Sequence, residues 1–104
     1  MGAAGMGYHE DEAALPATVK NRHRAIVSIM EELEAMDWYD QRVAATGDPT
    51  LAEVLAHNRD EEKEHMAMTL EWLRRNDPTL DTMLRRYLFT DQPITAIEGE
   101  PERP

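Results

Sequence analysis

The feature that most constrains this chain is a four-residue interruption, "TGDP" at residues 46–49, between two long runs without proline or glycine. The first run extends from Ala17 to Ala45 and the second from Thr50 to Asn76. Both are rich in Ala, Glu, Met and Arg, with apolar residues at helical spacing. Within the interruption, Gly47 can take the left-handed position that closes one helix. Asp48 can cap the next, and Pro49 suits its first position. The spacing predicts a helix over 17–45, introduced by Pro16, and a second from Pro49 to about Asn76. "NDP" at 76–78 repeats the punctuation and predicts a shorter third helix from Thr79 to Phe89. Residues 1–15 read as a flexible lead-in and 16–90 as the helical domain. Residues 91–104 read as a poorly ordered tail or linker, with Ile94 and Ile97 as its only anchors.

So short a turn between long helices dictates an antiparallel hairpin. Glu32 lies fifteen residues before Gly47 and Glu62 fifteen beyond it. At about 1.5 Å per residue both stand roughly 22 Å from the turn, level on neighbouring helices. Leu51, Leu55, Asn58, Glu62, His65, Thr69 and Trp72 form one stripe on the second helix, apolar at its ends and polar in the middle. Ala25, Ile29, Glu32, Met36, Tyr39 and Val43 form its counterpart on the first, interrupted by one carboxylate. Further apolar sets flank these stripes: Val19, Ile26, Met30 and Leu33, then Val54, Met66, Leu70 and Leu73. Two helices cannot enclose so wide an apolar surface. The simplest completion is a second copy on a two-fold axis, giving an all-α, four-helix arrangement.

A carboxylate in such a core is costly unless it is paired or bound to a cation. Glu62 and His65 are three apart and share a helical face, and Glu32 approaches from the neighbouring helix. A two-fold axis through the stripe doubles one Glu plus one Glu-x-x-His to four carboxylates and two imidazoles. That is the ligand set of di-iron carboxylate bundles, and oxygen-rich donors of this kind suit iron or manganese. The competing reading is an intrahelical Glu–His bond at a wet interface, with Glu32 turned outward. Tyr39, seven residues beyond Glu32, reads equally as a hydrogen-bond donor to a metal-bound group or as an interface aromatic. Trp72 reads as core packing.

Glu31, Glu34, Glu61 and Glu64 border the stripes and are read as facing away from the centre. They form either an acidic approach that gathers cations or a solvated face. His57, near Glu61 and Glu64, completes a set able to hold a weak outer cation, calcium included. His23 reads as an ordinary surface or interface group, and His9 belongs to the loose start beside Glu10, Asp11 and Glu12, where any metal would be adventitious.

Composition narrows the field. A formal charge of −10 and a pI near 4.7 leave no basic face for nucleic acid. There is no cysteine, which excludes thiolate chemistry. No apolar run reaches the roughly 18 residues of a membrane span. The start, "MGAAGMGYHE", lacks the pattern of a secretory signal, so a cytoplasmic protein is expected. The lone Ser28 sits mid-helix, without a nucleophile elbow.

Three stretches carry more than periodicity. "NRHRAIVSIMEELEAMDWYDQRV" at 21–43, "LAHNRDEEKEHMAMTLEWLRRND" at 55–77 and "YLFTDQPITAIE" at 87–98 closely resemble the encapsulated ferritins, cargo proteins of encapsulin nanocompartments. The resemblance implies a ferritin-like subunit that is a ferroxidase only when two copies meet. Its di-iron centre falls on Glu32, Glu62 and His65. Its outer-sphere tyrosine falls on Tyr39, with Trp38 beside it. Its iron-admission glutamates fall on Glu31 and Glu34, and its outer site on His57, Glu61 and Glu64. It further implies a homodecameric ring of dimers and delivery of oxidised iron into the lumen of an encapsulin shell. "GEPERP" at 99–104 differs from the family's C-terminal targeting peptide and reads as the beginning of a linker. Two other functions are compatible with the residues alone: a non-enzymatic helical scaffold, and a di-iron or manganese enzyme acting on peroxide.

Overall fold

The "TGDP" interruption does what its chemistry dictates in the computed structural model, which describes residues 7–101. Helix α1 runs Ala17–Ala45 and ends at Thr46. Helix α2 runs Pro49–Arg75, with the Asp48 carboxylate accepting from the amides of Thr50 at 2.9 Å and Leu51 at 3.2 Å. Pro49 occupies the first turn, where no amide donor is needed. The same device starts α3, Pro78–Tyr87, where Asp77 accepts from Leu80 N at 3.0 Å.

α3 is shorter than the spacing suggested. The chain leaves it at Leu88, and Phe89 takes a left-handed φ of 59° with its ring fully outside the fold. Arg74 fastens α3 to α2 by pairing with both Glu71 (2.7 Å) and Asp81. With Arg75 also at 2.6 Å, the Glu71 carboxyl is held down to about 2. Hydrogen bonds from these guanidiniums are the first cause.

The tail is more structured than its composition indicates. A short helix, α4, spans Ile94–Ile97, and Ile97 is only 2% exposed. Arg86 donates to the carbonyl oxygens of Ile97 (2.9 Å), Glu98 (2.6 Å) and Glu100 (2.6 Å). Its cation thus gathers carbonyl oxygens at and beyond the end of α4, where Ile97 O also accepts from the Glu100 amide at 3.0 Å. Ile97 is an anchor, as expected, whereas Ile94 is 71% exposed and is not. Residues 102–104, part of the linker reading, lie outside the described residues, as do residues 1–6 of the lead-in. Within 7–15 there is a 3-10 turn at Glu12–Ala14. Lys20 reaches Glu12 at 3.6 Å, and the rings of Tyr8 and His23 stand 4.8 Å apart.

The described residues form two long helices and two short ones, an all-α plate of 48 × 43 × 19 Å. Two long helices side by side cannot enclose a core of their own. Among the described residues only Ala25, Leu73 and Ile97 are buried apolar side chains. The accessible surface is 7675 Å², against about 6,000 Å² for a compact monomer of this mass. Ile26, Leu33, Trp38, Val54 and Met68 all stand exposed. Trp72, expected in the core, is exposed as well. No helix of the described residues is long and apolar enough to cross a membrane.

Candidate metal centre

Contacts across the hairpin set the height of each polar side chain. Asp40 accepts from Arg59 at 2.9 Å, Glu32 from Thr69 at 3.4 Å, and the Asn76 carbonyl from Arg22 at 3.5 Å. Each pair is centred near residues 49–50, not on Gly47. The reason is the tilt of side chains toward the N-terminus of their own helix. In antiparallel helices those tilts point in opposite directions. An α1 side chain tilted in this way reaches α2 residues further from the turn, as Glu32 reaches Thr69. Glu32 meets Thr69, and it stays near enough to Glu62 and His65 for their charges to act on it.

Glu32, Glu62 and His65 still act on one another. The Glu32 carboxyl is pushed up from its ordinary range, first by burial and then by the Glu62 charge. The Thr69 hydrogen bond and His65 oppose the rise. One oxygen, Oε1, faces the Thr69 hydroxyl, while Oε2 is buried without a hydrogen-bond partner. An orphaned buried carboxylate oxygen is unfavourable by itself and fits a position awaiting a cation. His65 presents Nδ1 to Glu62 Oε2 at 3.9 Å and remains partly open to solvent. The donor set is thus half-buried.

The flanking acids divide differently from the expectation. Glu61 does not face away from His65: its Oε2 lies 3.9 Å from His65 Nε2, while its Oε1 lies 3.4 Å from His57 Nε2. Successive i,i+4 steps thus make His57, Glu61 and His65 a continuous row along α2. Glu64 lies apart, lining a shallow groove with Met68, Trp72 and Arg75. Glu31 is half-buried and acts on Glu32 through its charge. Glu34 is half-buried one turn beyond Met30 on α1. Tyr39 lies on the Glu32 stripe with the Arg42 guanidinium 5.4 Å from its ring centre. Among the described residues of a single chain, no three His, Asp or Glu side chains gather closely enough to hold a metal ion. Thr69 is the residue that sequence reasoning passed over. It was visible on the polar stripe one turn after His65, but its bond to Glu32 depends on side-chain tilt.

A helical hairpin with an open apolar face, interrupted by one Glu and one Glu-x-x-His, belongs to the ferritin-like class of all-α subunits. Residues 7–91 match the family described as EncFtn-like, and this chain belongs to that family. It is 68% identical over 91 residues to a protein of Rhodospirillum rubrum named "Encapsulated ferritin-like protein", covering 88% of this chain and 65% of that one. This chain thus spans just under two thirds of that relative's length. It is 56% identical over 93 residues to a "Ferritin-like protein" of Thermotoga maritima, covering 89% of this chain and 82% of the relative. The crystal structure of protein ne0167 from Nitrosomonas europaea superposes with a TM-score of 0.81 at 57% identity, over 85% of this chain and 97% of that one.

Proposed function

We propose that this chain is a ferroxidase subunit, oxidising Fe(II) to Fe(III) with dioxygen at a di-iron centre shared by two copies. Each copy contributes Glu32, Glu62 and His65, so the pair offers four carboxylates and two imidazoles. The observation that carries this reading is the buried, unbonded Oε2 of Glu32, set beside Glu62 and His65 on a face that one chain leaves open. Membership of the EncFtn-like family supports it.

Iron is the substrate here, and its oxidation by dioxygen releases one electron per ion. Four carboxylates balance the charge of two Fe(II) ions. The same carboxylates offset the positive charge that grows as Fe(II) becomes Fe(III). Glu62 and His65 orient one another across one helical turn, and Tyr39 supplies a hydroxyl to a ligand or bound water. Glu31 and Glu34 gather Fe(II) at the approach, and His57, Glu61 and Glu64 form an outer cation site that also accepts calcium. The exposed apolar faces on both sides of the hairpin suit a homodecameric ring of dimers. The name of the Rhodospirillum rubrum relative supports a place inside an encapsulin shell, in the lumen of a compartment within the bacterial cytoplasm, where the product is stored as mineral.

The test is Fe(II)-dependent oxygen consumption by the assembled protein. It is expected to be lost in Glu32→Ala, Glu62→Ala and His65→Ala. Wild-type turnover in all three variants contradicts the proposal.

A further inference from the structure

The Thr69 hydroxyl stands between two acceptors on different helices, His65 O at 3.1 Å and Glu32 Oε1 at 3.4 Å. The first contact is the i−4 bond open to any helical threonine. The second crosses from α2 to α1 over 37 residues of sequence. A hydroxyl has one proton, so the two bonds share it. We infer that Thr69 is the positioning residue for Glu32, fixing that carboxylate by one edge so that its other oxygen faces the cation. This inference rests on reading Glu32 as an iron ligand.

Threonine suits this role for reasons of geometry. Its β-branch leaves few χ1 rotamers in a helix, and the one that sets Oγ1 over the i−4 carbonyl also aims it at Glu32. That carbonyl belongs to His65, so the hydroxyl is hinged to the same turn that carries the imidazole. The consequence is an asymmetric carboxylate: Oε1 has a donor, whereas Oε2 is buried with none. A cation taking Oε2 leaves the Thr69 bond intact, because Oε1 accepts it through a separate lone pair. Thr69 thus orients the ligand both before and after binding, and its proton can lean back toward His65 O when the cation withdraws charge from Glu32.

Binding of Co(II) to the metal-free assembled protein, followed by calorimetry and by visible absorption, tests this without turnover. Thr69→Val keeps the branched shape without the hydroxyl and is expected to weaken Co(II) binding about 10-fold, as loss of an outer hydrogen-bond partner does. Thr69→Ala, which introduces no new contact, must show the same loss, and Thr69→Ser must restore wild-type affinity. In a Glu32→Ala background, Thr69→Val must have no further effect. Wild-type affinity in Thr69→Val and Thr69→Ala overturns the inference. So does a Thr69→Ser variant as weak as Thr69→Val, or a loss that persists without Glu32. If Glu32→Ala binds Co(II) as wild type does, the ligand reading falls and this inference with it. If Glu32→Ala is weakened and Thr69→Val is not, only the role of Thr69 falls.

Discussion

Replacing Glu32 by methionine should make the metal-free protein more stable at neutral pH while removing its response to metal. Methionine keeps a linear side chain of similar size, so α1–α2 packing is preserved. What disappears is a carboxylate with one buried, unbonded oxygen beside the Glu62 charge. A buried acceptor without a partner costs about 1–3 kcal/mol, and the half-burial of Glu32 places its share at about 1–2 kcal/mol after solvent screening. The pH dependence follows from linkage. Burial raises the folded-state pKa of Glu32 above 4.5, so the unfolded chain loses its proton first as pH rises. Wild type therefore loses stability as pH rises from 4.5 through the folded pKa. The advantage of Glu32→Met should be full above that window and fade as pH falls toward 4.5. Urea denaturation in chelator, at one fixed protein concentration and a series of pH values, reads it directly. About 1 kcal/mol corresponds to about 4–8 °C in Tm for a domain of this size. Addition of Co(II) should raise the Tm of wild type and leave Glu32→Met unchanged. A variant less stable than wild type at neutral pH, or one whose advantage is the same at every pH, refutes the reasoning.

Asp48→Ala removes the acceptor of two first-turn amides of α2 and should cost about 1 kcal/mol, read as a lower urea midpoint with an unchanged slope. Arg86→Met removes three carbonyl contacts and should speed amide hydrogen exchange in residues 94–100 while leaving the middle of α1 and α2 protected.

Much of the fold was legible because its boundaries are local. The Asp48–Pro49 and Asp77–Pro78 pairs each combine a cap with a first-turn proline, and both act within three residues. The open apolar surface was legible too, since the apolar residues at helical spacing outnumber what two helices can cover, and Ile26, Leu33, Val54 and Met68 stand exposed. The tail was not, because α4 is held by Arg86 from 11 to 14 residues away and Ile97 packs without a neighbouring periodic pattern. Site residues followed the same division. Glu62 and His65 are one turn apart on one helix, so their proximity is a matter of spacing. Glu32 belongs to another helix, and counting from Gly47 does not fix which α2 side chain its carboxylate meets. It meets Thr69 across the hairpin, and Glu61, read as facing away from the centre, lies by i,i+4 geometry 3.9 Å from His65.

The central claim is that one chain carries half of a di-iron centre. Anomalous scattering at the iron edge from iron-soaked crystals tests it most directly. The account predicts a pair of iron peaks on a two-fold axis between subunits, bound by Glu32, Glu62 and His65 of both copies. Iron peaks confined to single chains, or an interface with Glu32 and His65 buried and no iron between them, would contradict it.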